Sequence, residues 1–296
     1  MTDLAARVPS TLAEADAAAA RASGLSGVTI EAVEDTAQIT RVYDLFKRIW
    51  KPDVANPPVT TELLRALTHA GNYLAAAYDG QEMVGACLGF FAAPLGDSLH
   101  SHIAGVSVEA RGRSVGYALK LHQRAWAIRR GVSEITWTFD PLVRRNAYFN
   151  LVKLGGLPRE YLVDFYGSVE DAINAGQGSD RLLVAWSLGS PTAAKACQGH
   201  RVETDARALV RSGAPTALRV SETGRPVASP ESGWRRGPAA LVQIPEDIEG
   251  MRTLDPVMAR DWRHAAREVM GWLIADGARI TGFDRSGCYV FERAEL

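Results

Sequence analysis

The sequence predicts an α/β protein whose main domain is an α+β unit with a mixed sheet. Three observations predict it. Segments of apolar character and segments of helical period interleave from residue 28 to 188. An Asp79-Gly80 pair separates two strand-like runs, a hairpin signal that makes those strands antiparallel. Further on, a strand, a helix and a strand follow one another, and that order needs a crossover and hence a parallel pair.

Taken in order, residues 1–27 are rich in alanine but carry acids, with no basic start before a greasy run, so they read as a helical tail, loosely docked or frayed. "VTIEAV" follows as a strand. Asp35 and Thr36 cap a helix whose Ile39, Val42, Tyr43, Phe46, Ile49 and Trp50 share one face, with Pro52 as its stop. "NPPVTTELLRALTHAG" supplies a turn and a second helix. "NYLAAAYD", "QEMVGACLGFFAAP" and "SLHSHIAGVSV" are three strands in succession.

The next helix puts Ala118, Leu121, Ala125 and Ile128 on one face and Lys120, Gln123 and Arg124 elsewhere, and Gly131 ends it. "SEITWTFDP" is a strand and "VRRNAYFNLVKLGG" a short helix closed by glycines. "EYLVDFYG" and "DRLLVAWSL" are strands, with a helical piece, "VEDAINAG", between them.

From residue 189 glycine, proline, serine and threonine become frequent, which reads as a connector or loop-rich arm. "ALVQIP" is then a strand. Asp255 caps a helix with Pro256 at its first position and Met258, Trp262, Ala265, Val269 and Leu273 on its face. "RITGF" and "CYVFERA" close the chain as a hairpin. The expected organisation is a tail over 1–27, a main domain over 28–188, and a connector with a smaller α/β region over 189–296.

Composition narrows the function. The 296 residues are 47% hydrophobic and 23% charged, ordinary for a globular protein, and the net charge is -1. Nothing global favours nucleic acid or an anionic membrane, and no apolar run reaches membrane-spanning length. Three scattered cysteines make a disulfide framework unexpected and a reducing cytoplasm the default. Six histidines and three cysteines show no metal spacing, so no metal is expected. Cys87, in an apolar strand, reads as an inert buried thiol.

The stretch "VSVEARGRSVGYALK", Val106 to Lys120, passes from strand to helix through Arg111, Gly112, Arg113, Ser114 and Gly116. A helix start leaves backbone N–H groups unpaired and carries the positive end of the helix dipole, so it suits a phosphate. Glycines allow close approach, and two arginines add local charge. The plain alternative is a tight connection with solvated arginines.

This stretch resembles the acyl-CoA-binding segment of the GNAT acetyltransferase superfamily. That pattern is Arg or Gln, two residues, Gly, any residue, then Gly or Ala. Arg111 and Gly116 match its ends, and Ser114 stands where the first glycine is usual. The departure is mild if Ser114 has helical dihedrals and damaging if the backbone needs positive φ there. The order of elements over 28–188 is similar, and "RRNAYFNLVKLGG" resembles the family's Asn-Ala-Lys-Gly helix.

The resemblance implies acetyl-CoA, or another acyl-CoA, as co-substrate. Its pyrophosphate would lie on the backbone of Arg111, Gly112, Arg113, Ser114, Val115, Gly116, Tyr117 and Ala118. Its pantetheine would bond the strand edge at Val106 and Val108, with a backbone N–H there as oxyanion donor. Asn146 and Tyr148 would reach the pantetheine arm or thiol.

Direct acyl transfer needs a base near neutral pKa for the amine. His100 and His102 alternate on the strand entering the turn and share a face, with His102 nearer the thioester. Asp140 is a second candidate, as base or as holder of the acceptor ammonium, although Asp-Pro is also a turn starter. Glu109 is a base candidate or a partner of the neighbouring arginines. The family's usual tyrosine falls at Leu151 here, and Tyr148, one turn earlier, is the substitute acid. Arg144 and Arg145 sit at a helix start, where the dipole disfavours them, and are candidates for an acceptor carboxylate or a CoA phosphate.

The expected activity is acyl-CoA-dependent N-acyltransfer, acetyl by default, to a small-molecule amine such as an amino acid, without a covalent acyl-enzyme. Succinyl transfer from succinyl-CoA, a non-catalytic acyl-CoA sensor or scaffold, and peptide acetylation are the alternatives. No nucleic acid or membrane partner is expected, and a homodimer is left open.

Overall fold

The computed structural model describes residues 4–51, 59–93, 96–167 and 178–293. Pro52 and the helical piece expected at 169–176 lie outside the described residues. The chain divides into two compact units: Met1–Trp137 with Trp186–Gln198, and Thr138–Ala185 with Gly199–Leu296. The expected segments 1–27, 28–188 and 189–296 follow chain order, whereas these units interleave.

The first unit opens with α1 (Leu4–Ser26), β1 (Thr29–Ala32), α2 (Thr36–Trp50) and α3 (Thr61–His69). It continues with β2 (Tyr73–Asp79), β3 (Glu82–Ala92), β4 (Ser98–Val106), α4 (Val115–Arg129) and β5 (Glu134–Phe139). Past Trp137 the chain enters the second unit with α5 (Arg144–Ala147), a π-helical turn over Tyr148–Lys153, β6 (Leu157–Leu162) and β7 (Arg181–Ser187). From Trp186 it returns to the first unit with α6 (Pro191–Cys197). The remainder belongs to the second unit: α7 (Ala206–Arg211), β8 (Thr216–Val220), β9 (Pro226–Ala228), α8 (Glu231–Trp234), β10 (Ala239–Gln243), α9 (Ile248–Leu254), α10 (Pro256–Ala275), β11 (Arg279–Asp284) and β12 (Cys288–Glu292).

In the first unit β1 to β4 pair antiparallel in sequence order, and β4 pairs β5 in parallel. The Asp79-Gly80 hairpin forms as expected, with Asp79 opposite Glu82. Asp35 caps α2 by accepting the Gln38 N–H at 2.7 Å, and Thr60 caps α3 by accepting that of Leu63 at 3.2 Å. Ile39, Val42, Leu45 and Phe46 of α2 and Leu64 of α3 form one core with Leu74, Ala76 and Leu88 of the sheet. Tyr73 of β2 instead meets α4, where its hydroxyl bonds His122 Nδ1 at 2.9 Å and its ring meets Trp126 edge-on. Side chains thus alternate between two covered faces, and β2 reads as a near-continuous apolar run.

Helix α1 is not a frayed tail. Ala15, Ala18, Ala19 and Ala22 recur at helical spacing and are buried, and α1 packs along α4. Asp16 accepts two bonds from Arg129 Nη2, at 2.7 and 2.8 Å. Small side chains let two helices approach closely, and they leave no room for larger ones. The other face of α4 packs on β2, β3 and β4, so Lys120, Gln123 and Arg124 are buried.

In the second unit, β6 and β7 form an antiparallel pair. A five-stranded sheet follows the order β11-β12-β10-β8-β9, with only β8 and β10 parallel. The segment expected to be a connector or loop-rich arm therefore supplies two strands and two helices of this unit, besides α6 of the first. Asp255 caps α10 through the Met258 N–H, and Trp262, Ala266, Val269 and Leu273 bury its inner face.

Asp140 lies deep in the second unit. Arg263 donates to both its oxygens, at 2.8 and 2.6 Å, and Arg252 Nη2 donates to Oδ2. The Leu142 N–H adds a bond at 2.9 Å. Burial opposes the charge, but the two guanidinium groups outweigh it and hold the carboxyl at about 2. A group that acidic takes up almost no proton near neutral pH. The expectation that Asp140 is a general base is corrected: it is a buried anchor joining the end of β5 to α9 and α10.

Two outcomes follow from this packing. Ala18→Leu should cost about 1–3 kcal/mol in chemical denaturation because it overpacks the α1–α4 contact. Leucine at exposed Ala20 should cost nothing measurable, and equal effects at both positions would refute the packing described. Asp140→Asn should cost about 3–5 kcal/mol near neutral pH by stranding two buried arginines. Because the folded pKa is depressed, the ionic part of that stability is complete above the unfolded value of about 3.9 and fades as pH falls toward about 2. The gap between wild type and variant should therefore narrow by about 2 kcal/mol between pH 5 and pH 2; a gap that ignores pH would show that Asp140 is not ionised in the fold.

Candidate functional site

The turn before α4 lies in the first unit. β4 ends at Val106, the Ser107 N–H donates to Val84 O at 2.8 Å, and Val108–Ala110 form a 3₁₀ turn. Val108, expected on a strand edge, is therefore in that turn and 61% exposed. Its N–H and C=O cannot continue the β4 ladder, so the expected edge ends at Val106.

Gly112 has φ 83 and Ser114 φ 64. Ser114 thus takes the left-handed conformation that the glycine of the family pattern would take freely, at a cost of about 1–2 kcal/mol. This is the less favourable of the two cases posed by the sequence. The backbone shape is nevertheless reached. The Tyr117 and Ala118 N–H groups bond Ser114 O at 3.0 and 3.1 Å, and no side chain caps the helix. The space above the turn is open. A Cβ at Gly112 would meet nothing within 4 Å, and one at Gly116 only Val106 Cγ2 at 3.7 Å.

The two arginines of the turn differ. Arg113 is committed, donating to Asp79 Oδ2 at 2.6 Å and to the Ser26 and Gly27 carbonyls at 3.1 Å. It ties the end of α1 to the turn. Arg111 is exposed; its backbone N–H donates to Val108 O at 3.2 Å, and its side chain makes no hydrogen bond or ion pair among the described residues. Val115 and Ala118 face the core. The Tyr117 hydroxyl donates to Ala196 O at 2.7 Å, and burial pushes its pKa up to about 12.

The strand leading into the turn has an open edge. β4 pairs β5 only from Ser98 to His100, opposite Glu134 to Thr136, although β4 runs on to Val106. On its other edge, Leu88 opposes Ile103 and Gly89 opposes Ser101, so His102 is an extra residue in a bulge. His100 and His102 remain neighbours, their rings 6.5 Å apart and both against Phe90. His100 Nδ1 pairs with Thr136 Oγ1 at 3.1 Å. Burial first, then the charges of His102 and Lys120, lower His100 to about 4. Burial also lowers His102. Both imidazoles are therefore neutral near pH 7. Of the two, His102 is the more exposed.

Behind His100 lies a group absent from the sequence expectations. Lys120 Nζ donates to Ser101 Oγ at 2.7 Å and to Gln123 Oε1 at 3.3 Å, and stands 4.0 Å from the Trp137 ring centroid. Burial lowers its pKa to about 8. Cys87 lies on the far side of Ser101, at 3.7 Å from Oγ, and burial raises its thiol pKa. That thiol is not a nucleophile near neutral pH. Neither Lys120 nor Thr136 stands out in the sequence, because pairing across strands and packing between helices are not periodic signals.

The other candidates belong to the second unit. Arg144 Nε and Nη2 donate to Ile244 O, at 3.3 and 2.7 Å, and Nε also donates to Pro245 O at 2.8 Å. Arg145 pairs with Glu249 at 2.7 Å on the surface. Both arginines of the α5 start therefore have partners inside this unit. The Tyr148 hydroxyl accepts from Arg285 Nε and Nη2, at 3.0 and 2.8 Å, at the start of the π-helical turn. Asn146, on α5, is half-buried. Among the described residues no three His, Cys, Asp or Glu side chains gather as metal ligands, and no helix is long and apolar enough to cross a membrane.

The family described as Acetyltransferase (GNAT) domain matches residues 10–148. Solved structures with similar folds include a GNAT family acetyltransferase from Elizabethkingia anophelis with acetyl-CoA bound. It is 14% identical, with 54% of this chain and 98% of that one covered and a TM-score of 0.44. Arabidopsis thaliana Naa50, in complex with a bisubstrate analogue, is 19% identical, with 54% and 99% covered and a TM-score of 0.44. The ribosomal-protein-S18-alanine N-acetyltransferase from Escherichia coli is 14% identical, with 54% and 94% covered and a TM-score of 0.44. No curated protein matches the sequence. Residues 10–148, which carry the strand, turn and helix just described, match the GNAT acetyltransferase domain family.

Proposed function

We propose that the chain transfers an acyl group, acetyl by default, directly from acyl-CoA to the amine of a small molecule such as an amino acid. The observation that carries the reading is the uncapped start of α4. Gly112 and Ser114 turn the backbone there with positive φ, the space above is open, and Arg111 is uncommitted. Unpaired N–H groups and the helix dipole suit a pyrophosphate. The unpaired edge of β4 from Ser101 to Val106 offers backbone donors and acceptors to an extended pantetheine.

Acyl-CoA supplies an activated carbonyl, and the chain supplies position and proton movement. A backbone N–H of the open β4 edge faces the developing oxyanion. His102, exposed on its bulge, takes the amine proton as a neutral imidazole while the nitrogen attacks the acyl carbon. The C–S bond then breaks, and CoA leaves as a thiolate that takes its proton from water or the imidazolium. His100, tied to Thr136, keeps its neighbour oriented through the shared Phe90 contact. Succinyl transfer has less support, because Arg145 is paired with Glu249 and Arg144 is held against the Ile244 and Pro245 carbonyls of the second unit. A sensor without chemistry would bind acyl-CoA yet release no thiol.

The first test is release of free CoA from acetyl-CoA with a panel of small amines. Wild type should release thiol with at least one amino acid or related amine; binding without release would favour the sensor. Gly116→Glu places bulk and negative charge over the turn. It should abolish acetyl-CoA binding by calorimetry while the melting temperature holds, and unchanged affinity would remove the turn from the site.

His102→Gln should lower kcat by about 10²–10⁴-fold and leave acetyl-CoA affinity alone. A base acts in its neutral form, so the rate rises with pH through its pKa. Burial lowers that pKa, so the acidic limb in wild type should fall below pH 6.5. That limb should vanish in His102→Gln, and its survival would move the base elsewhere, with His100 next.

A further inference from the structure

The second unit holds a cavity of about 570 Å³ that acyl transfer does not use. Apart from Arg144, its lining lies outside residues 10–148. Val210 of α7, Val220 of β8 and Leu241 of β10 give it an apolar floor. Arg144, Arg207 and Arg211 stand around that floor with Glu246 as the single carboxylate, a formal surplus of two positive charges.

Arg144 is fixed in place. Two of its nitrogens donate to the Ile244 and Pro245 carbonyls. Gly287, at φ 90, lies so close that a Cβ would collide with the guanidinium. The remaining nitrogen, Nη1, has no partner among the described residues. The Arg207 side chain makes no hydrogen bond or close ion pair among the described residues, although the Asp284 carboxylate lies within its field. Arg211 has only a 3.9 Å contact with Asp205, between two exposed groups, which holds it weakly.

A cavity of about 640 Å³ in the first unit is also lined by arginines, but there Arg129 is paired with a carboxylate, Arg130 is stacked on a ring, and Glu34 offsets Arg65. Arg65 bonds the Glu34 carbonyl, Arg129 bonds Asp16, and Arg130 lies over Trp126. Uncommitted positive charge beside an apolar floor is found in the second unit.

We propose that the second-unit cavity is a binding site for a small organic carboxylate with a compact apolar body. The carboxylate lies toward Arg144, Arg207 and Arg211, and the hydrocarbon covers Val210, Val220 and Leu241. A fixed guanidinium offers a carboxylate a paired donor geometry without ordering cost. An apolar wall with few polar groups, in a volume of this size, is the usual form of a small-molecule site. A bare inorganic anion would leave the floor wet, and a neutral ligand would leave the charges unanswered. The inference does not depend on the acyl-transfer reading.

The test uses the full chain with benzoate as probe, followed by calorimetry and ligand-observed NMR. Benzyl alcohol serves as the neutral isostere and inorganic phosphate as the bare anion. Benzoate should bind saturably, at least tenfold more tightly than either, and more weakly as salt rises. Arg207→Glu with Arg211→Glu should weaken benzoate at least tenfold and leave acetyl-CoA affinity and melting temperature unchanged. Absence of saturable benzoate binding would overturn the proposal, as would equal binding of the alcohol. Equal binding of phosphate would reduce the cavity to a plain anion site and overturn it as well. Indifference to the double charge reversal would place benzoate elsewhere on the chain.

Discussion

Helix α4 has no free side, and much of the first unit follows from that. One face packs on β2, β3 and β4, and the opposite face packs on α1. A helix enclosed in this way must bury whatever polar groups it carries and satisfy each of them. Arg124, 2% exposed, donates from Nε and Nη2 to Leu188 O, at 3.1 and 2.6 Å. That carbonyl belongs to the segment returning from β7 to α6, so a buried guanidinium keeps this segment in the unit. Lys120 is satisfied by Ser101, Gln123 and the Trp137 ring. Its lowered pKa represents a penalty of roughly 3 kcal/mol on the ammonium. The same enclosure makes α1 an alanine ridge, since only small side chains fit the remaining gap.

The turn before α4 inherits its constraints from the same helix. Val115 and Ala118 must face the core, which fixes the angle at which the chain enters the helix. Arg113 cannot serve a ligand because it holds the end of α1 against the turn. Ser114 must then adopt positive φ to complete the connection. A backbone strained by about 1–2 kcal/mol is retained here at the site where a ligand's charge would meet unpaired N–H groups. Strain of this kind persists only where surrounding packing determines it, and α4 supplies that packing.

Much of this was legible in the sequence. The order of elements, the Asp79-Gly80 hairpin, the caps at Asp35 and Asp255 and the turn at 111–116 are local signals, written within a few residues of where they act. What was not legible depends on partners distant in the chain. Lys120, Gln123 and Arg124 look like a solvent face until the sheet, and the Leu188 carbonyl more than sixty residues later, cover them. Asp140 looks like a strand-end acid until Arg252 and Arg263, more than a hundred residues later, neutralise it. Val108 continues an apolar alternation, yet the ladder with β3 ends at Ser107 and the chain enters the 3₁₀ turn Val108–Ala110. The segment after 189 reads as a connector because its two strands, β8 and β9, are only five and three residues long and lie among glycines and prolines. Periodicity cannot register elements that short.

The second unit shows why an arginine's role depends on what already holds it. Asp140 neutralises part of the charge of two buried guanidinium groups, and Asp180 and Asp164 engage Arg267. Those ions are structural, and the Asp140 and Asp180 carboxylates are held in the charged form. Arg144 is held instead by neutral carbonyls, which orient a guanidinium without cancelling its charge. The field of an arginine bonded only to carbonyls remains available to an incoming anion, whereas one bonded to a carboxylate offers little. Arg145, paired with Glu249, is of the second kind, although it is the adjacent residue. Two adjacent arginines with the same place in the sequence pattern thus differ in what they can bind, and the difference lies in the partners supplied by α9 and the segment before it.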